Sequence, residues 1–179
     1  HFVVGGAPTA KNKIFFSATL DPESFSGTGS GSIQLTDAIV GLASFRSDLI
    51  IFCKNSIFKL INISDSSNIA IVPITKNVGC VNGGSIQEIG GDLVFLAPDG
   101  IRTIAGTARI GDVELGSVSR QIQSIITDIV NGINNFVITS GTLRSKSQYR
   151  LFYTNTSQSS SVSKGIIGTL TPNGFEWSE

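Results

Sequence analysis

The sequence has no methionine, one histidine, one tryptophan and two cysteines. Because the only histidine is His1, a Ser-His-Asp or Cys-His arrangement lacks a plausible base, and imidazole-based metal chemistry is almost ruled out. Cys53 and Cys80 allow at most one disulfide and have no metal-ligand spacing, so buried, inert thiols are expected. Neither sign of charge is in excess: 13 basic and 13 acidic residues cancel, which argues against a nucleic-acid-binding stripe, a polybasic membrane surface or an acidic tail. Apolar runs are short, as in Leu49 to Cys53, and none reaches the roughly 20 residues of a membrane helix. The missing Met, an opening on His1-Phe2-Val3-Val4 without signal-peptide architecture, and an end just after an apparent strand suggest an internal piece of a longer chain.

What is abundant points to strands. The chain of 179 residues holds 24 Ile, 12 Val and 14 Thr against 11 Leu and five Glu, and 20 Gly supply turns. Branched residues lose rotamer freedom in helices and pack well on pleated sheets, so the expected class is all-β.

The most informative feature is an internal repeat. Ser47-Asp48-Leu49-Ile50-Ile51-Phe52 through Leu60 aligns without gaps on Gly91-Asp92-Leu93-Val94-Phe95-Leu96 through Ile104, an offset of about 44 residues. Leu42 and Phe45 fall on Ile86 and Ile89 under the same offset. Each copy reads as an incoming strand (Ile39 to Phe45; Ser85 to Ile89), a turn carrying Asp48 or Asp92, and a hairpin closed at Asn55-Ser56 or Asp99-Gly100. A type I′ turn is expected at the second hairpin, since both central residues of that turn take positive φ. Three strands in about 25 residues leave room for a fourth in each period.

A period of this length with four strands is the pattern of a propeller blade, although a β-sandwich built from similar hairpins also fits. The expected organisation is one partial β-propeller platform over 1–179, with repeat units at about 33–76 and 77–116 and C-terminal strands over 148–179. One segment departs from the strand pattern. Val118, Ile122, Ile125, Ile126, Ile129 and Ile133 line one helical face, so an inserted helix is expected over 119–131, capped by Ser117 or Ser119 and stopped at Gly132.

Candidate sites are few. Asp21 with Glu23 and Asp112 with Glu114 have the paired carboxylates that a glycosidase needs, but both sit beside turns and read as solvated loop residues. Gly27-Thr28-Gly29-Ser30-Gly31 has neither the last glycine of a dinucleotide fingerprint nor a following lysine, and it precedes a strand, so it reads as a turn. Leu170 to Trp177 misses the spacing of an aspartate box by one residue. Asn62-Ile63-Ser64 and Asn155-Thr156-Ser157 fit the glycosylation sequon. Arg102, Arg109 and Arg120 are expected on a solvated face. Tyr149, Tyr153 and Trp177 are the aromatics that would stack on sugar rings if exposed. No catalytic, cofactor-binding or metal-binding residue is assigned, and the chain is expected not to be an enzyme.

One order of features carries a resemblance. Ile14-Phe15-Phe16-Ser17 is followed by Asp21-Pro22-Glu23-Ser24-Phe25-Ser26, the glycine-serine loop, Ile33-Gln34-Leu35, Ile39-Val40-Gly41-Leu42, the Asp48 hairpin and the Asp92 hairpin. Over Lys13 to Ile126 the chain resembles the nozzle, or tail tubular B, family of short-tailed phages and related virion-stabilising proteins. That resemblance implies a propeller platform in a structural virion subunit assembled in the host cytoplasm. Six copies would form a ring at the tail end, contacting adaptor and fibre proteins and retaining genome DNA without binding it specifically. The alternative is a carbohydrate-binding or glycan-cleaving propeller acting in receptor recognition.

Overall fold

The computed structural model describes residues 1–105, 118–157 and 162–179. It is mostly β, with four small antiparallel sheets of three or four strands and one helical segment of 12 residues. No closed propeller is formed among the described residues. The chain divides into two compact units, His1–Cys80 and Val81–Glu179.

The first unit holds two meanders. Strands β1 (Val3–Ala7), β2 (Ala10–Phe16) and β3 (Gly31–Gln34) form one, and β4 (Ile39–Phe45), β5 (Asp48–Cys53), β6 (Ile57–Ile61) and β7 (Ala70–Thr75) form the other. Ile14, Leu35, Ile51, Cys53, Phe58 and Leu60 make their shared core. Pro73 lies on β7, an edge of its sheet, where a missing N–H costs no ladder bond.

The second unit begins with β8 (Gln87–Ile89), β9 (Asp92–Ala97) and β10 (Gly100–Thr103). A 3-10 turn over Arg120–Ile122 leads into helix α1 (Gln123–Asn131). The chain then runs through a four-stranded meander of β11 (Phe136–Leu143), β12 (Gln148–Asn155), β13 (Ser163–Thr171) and β14 (Gly174–Ser178). Val94, Leu96 and Ile101 of the small sheet, Ile122, Ile126 and Ile129 of the helical segment, and Ile138, Tyr149, Leu151 and Ile166 of the meander form one core.

The repeat survives in the register. Phe45 pairs with Asp48 as Ile89 pairs with Asp92, Phe52 with Ile57 as Leu96 with Ile101, and Ile51 with Phe58 as Phe95 with Arg102. The equivalent strands β5 and β9 are both buried at odd and even positions alike, from Ile50 to Cys53 and from Leu93 to Ala97. Ile51 and Cys53 of β5 pack toward the preceding sheet, whereas Val94 and Leu96 of β9 pack toward the following one. Every residue from Leu93 to Ala97 is at most 2% exposed, so β9 is covered on both faces.

Three expectations are corrected. The hairpin turns lie one residue earlier, because Cys53 N–H donates to Ser56 O and Ala97 pairs with Gly100, leaving Lys54-Asn55 and Pro98-Asp99 as the central residues. Proline fixes a negative φ, so Pro98 cannot open a type I′ turn, and only Gly100 has positive φ there. Ser119 does not cap the helix with its side chain: its hydroxyl accepts from Ile101 N–H at 2.9 Å instead. Ser117 lies outside the described residues. Arg102 is not on a solvated face; it is 1% exposed, with Nε donating to Asp99 at 2.8 Å, because the sheet that carries it has no solvent side there. Gly132 does end α1, but at φ −93, and its lack of a side chain makes room for the Phe136 ring.

Candidate functional site

The meander β11–β14 sends alternate side chains to its two faces. On the face that meets α1, Ile138, Tyr149, Leu151 and Ile166 are buried. Farther along the same face the core opens. Tyr153 pairs across with Ile138 on one side and Lys164 on the other, and Phe136 pairs with Asn155, so these side chains form the last two rows of the sheet. Phe136, Tyr153, Asn155, Val162 and Lys164 line a cavity of about 190 Å³.

Two aromatic rings make its apolar part. Phe136 and Tyr153 meet edge to face, with centroids 5.7 Å apart and planes at 85°. Burial pushes the Tyr153 phenol above its ordinary pKa, and the carboxylates of Glu179 and Asp128 push it the same way, so the ring carries an intact O–H donor at neutral pH. Asn155 Oδ1 is occupied by Ser157 N–H and Oγ–H at 2.9 and 2.7 Å, which leaves its amide nitrogen toward other partners. Thr156 closes the row by donating from N–H and Oγ–H to Asn135 O.

The other aromatic candidates are structural. Tyr149 is fully buried and donates its hydroxyl to Ser85 O at 2.8 Å, so it is not available to stack on a sugar. Trp177 stacks on Phe175 at 5.5 Å and donates Nε1–H to Val118 O at 2.7 Å. Of the three, only Tyr153 reaches the cavity.

The remaining candidates fall where their surroundings give them little chemistry. Asp21 and Glu23 are exposed in a turn in which Asp21 Oδ1 accepts from Glu23 N–H at 3.2 Å. Asp112, Glu114 and Arg109 lie outside the described residues. Arg120 is exposed at the start of the helical segment. The Gly27–Gly31 loop turns through Gly29 at φ +82 and enters β3, a strand and not a helix. Asn62 is exposed at φ +58 and Asn155 ends β12. Cys53 and Cys80 are free and buried, and Cys80 N–H donates to Cys53 O at 2.8 Å. Burial pushes the Cys53 thiol up to about 12, helped by the nearby Asp37 charge and opposed by Ser56.

No group of three His, Cys, Asp or Glu side chains could hold a metal ion among the described residues. No described helix is long and apolar enough to cross a membrane. No protein-family model matches the chain, and no curated protein sequence is similar to it.

Proposed function

We propose that the chain is a structural virion protein whose sheets are propeller-type blades, part of a phage tail nozzle that forms a ring at the tail end. The observation that carries this reading is the repeated hairpin: two copies with the same pairings at Asp48 and Asp92, one of them within a four-stranded up-and-down meander. A second such meander closes the chain. Up-and-down sheets of four strands stacked face to face are the building units of propellers and related arrays.

In this role the protein catalyses nothing and needs no cofactor. Its surface meets other copies of itself in a hexameric ring, adaptor and fibre proteins, and genome DNA that is retained without specific binding. Balanced charge fits that last task, because tight phosphate binding requires clustered cations. A carbohydrate-binding or glycan-cleaving propeller in receptor recognition is the weaker alternative, since Tyr149 is lost to the core and Asp21 and Glu23 form a solvated turn.

Negative-stain imaging and native mass measurement of the purified protein test the reading. Six-fold rings are expected. A stable monomer at all concentrations, or turnover of a glycan, would overturn it.

A further inference from the structure

The cavity at the open end of the β11–β14 core brings polar side chains and two aromatic rings together. Tyr149 and Trp177 spend their polar atoms internally, on Ser85 O and Val118 O. The Tyr153 hydroxyl, the Asn155 amide nitrogen and the Lys164 ammonium have no hydrogen-bond partner in the described structure, and all three belong to residues lining the same cavity. They stand beside the perpendicular Phe136–Tyr153 pair, so apolar ring surface and three donors meet at one place.

We propose that this cavity binds a single neutral pyranose ring, with Phe136 and Tyr153 as apolar walls and Tyr153, Asn155 and Lys164 as donors to sugar hydroxyls. Sugars present apolar C–H faces and a fringe of hydroxyls, and an aromatic wall with a few placed polar groups matches both. Size limits the ligand: about 190 Å³ is below the roughly 300 Å³ at which drug-sized pockets begin, so no more than one ring enters. Charge limits it too. The carboxylates of Glu179 and Asp128 act on Tyr153 while Lys164 lines the cavity, a balance that gives an acidic sugar or a phosphate no advantage. This site is independent of whether the chain builds a ring of subunits.

Saturation-transfer NMR on the full chain with glucose, galactose, mannose and N-acetylglucosamine, one at a time, is the test. At least one sugar should receive saturation. Tyr153→Phe keeps the wall and removes the hydroxyl, and should weaken binding roughly fivefold, the worth of one neutral hydrogen bond. Lys164→Ala, at an exposed position, should weaken it similarly with unchanged thermal unfolding. Phe152→Ala, on the opposite face of β12, should leave it unchanged. The proposal is overturned if none of the four sugars receives saturation, if Tyr153→Phe and Lys164→Ala both bind like the parent, if Phe152→Ala abolishes binding, or if inorganic phosphate displaces the sugar.

Discussion

Arg46 and Gly90 hold the same left-handed backbone position, φ 56 and φ 60, in the two copies of the strand-turn-strand repeat. Each opens the turn into its central strand, after Phe45 in one copy and Ile89 in the other. Glycine takes this conformation freely, whereas a residue with a Cβ is strained there by about 1 kcal/mol. Arg46 recovers part of that by lying over the Phe45 ring at 4.9 Å. Arg46→Gly should therefore stabilise the protein by about 0.5 kcal/mol, and Gly90→Ala should destabilise it by at least about 1 kcal/mol. A Cβ at Gly90 would also press on Leu170. Urea unfolding midpoints of the two variants check both signs.

Tyr149 ties the last meander to the start of the second unit. Its hydroxyl reaches Ser85 O, and the Ser85 hydroxyl in turn donates to Asn82 O at 2.6 Å and accepts from Leu96 N–H at 3.0 Å. Tyr149→Phe should cost about 1 to 3 kcal/mol, the penalty for deleting one partner of a buried hydrogen bond. Ser85→Ala removes two bonds and should cost more. The double variant should cost less than the sum, because the groups share one network. Thermal unfolding of the three proteins gives the coupling directly.

Much of this architecture was legible in the residues. The Asp48 and Asp92 hairpins announce themselves because each is an apolar run bounded by turn residues, and the isoleucines from Ile122 to Ile129 keep a helical spacing. Strand β11 was not, since Phe136–Leu143 contains Thr139, Ser140, Gly141 and Thr142 and offers no apolar run. Arg102 misled for a different reason: alternation assigns a residue to one face of a sheet but does not say whether that face meets water. Tyr149 and Tyr153 sit four residues apart on the same strand face, yet one is sealed in the core and the other lines a cavity. That difference depends on what packs over each ring, Ser85 and Trp177 in the case of Tyr149, which no local pattern records.

Cys53 makes stability sensitive to alkaline pH. Its thiol is pushed up to about 12 from 9.0, so the folded state keeps it protonated after the unfolded chain has begun to ionise. Below pH 9 both states hold the proton and no penalty arises. Between about 9 and 12 unfolding releases a proton, and stability falls with rising pH by at most about 1.4 kcal/mol per unit from this group. Cys53→Ala should flatten that slope while lowering stability at neutral pH through the lost packing. Native-state labelling with a thiol reagent at pH 8 should be slow and should accelerate only on unfolding.

Asp37 latches the first hairpin from outside the sheet. Its Oδ2 accepts from Asn55 N–H at 2.6 Å and from Ser56 Oγ–H at 3.0 Å, and its Oδ1 accepts from Ala38 N–H at 2.8 Å. These bonds fix the Lys54-Asn55 turn to the residues that enter β4, a connection that Lys54 N–H also makes to Ala38 O at 3.0 Å. Hydrogen bonds to a charged acceptor are worth more than neutral ones, so Asp37→Ala should cost about 2 to 3 kcal/mol. Asp37→Asn keeps one acceptor oxygen and should cost roughly half as much. The second copy has no carboxylate at the matching place, Val81, and its Asp99 turn is held instead by Arg102. Hydrogen exchange should therefore rise at Asn55 and Ser56 in Asp37→Ala and stay unchanged at Asp99 and Gly100. An equal rise at both hairpins would mean that the loss is global and that Asp37 is not a local latch.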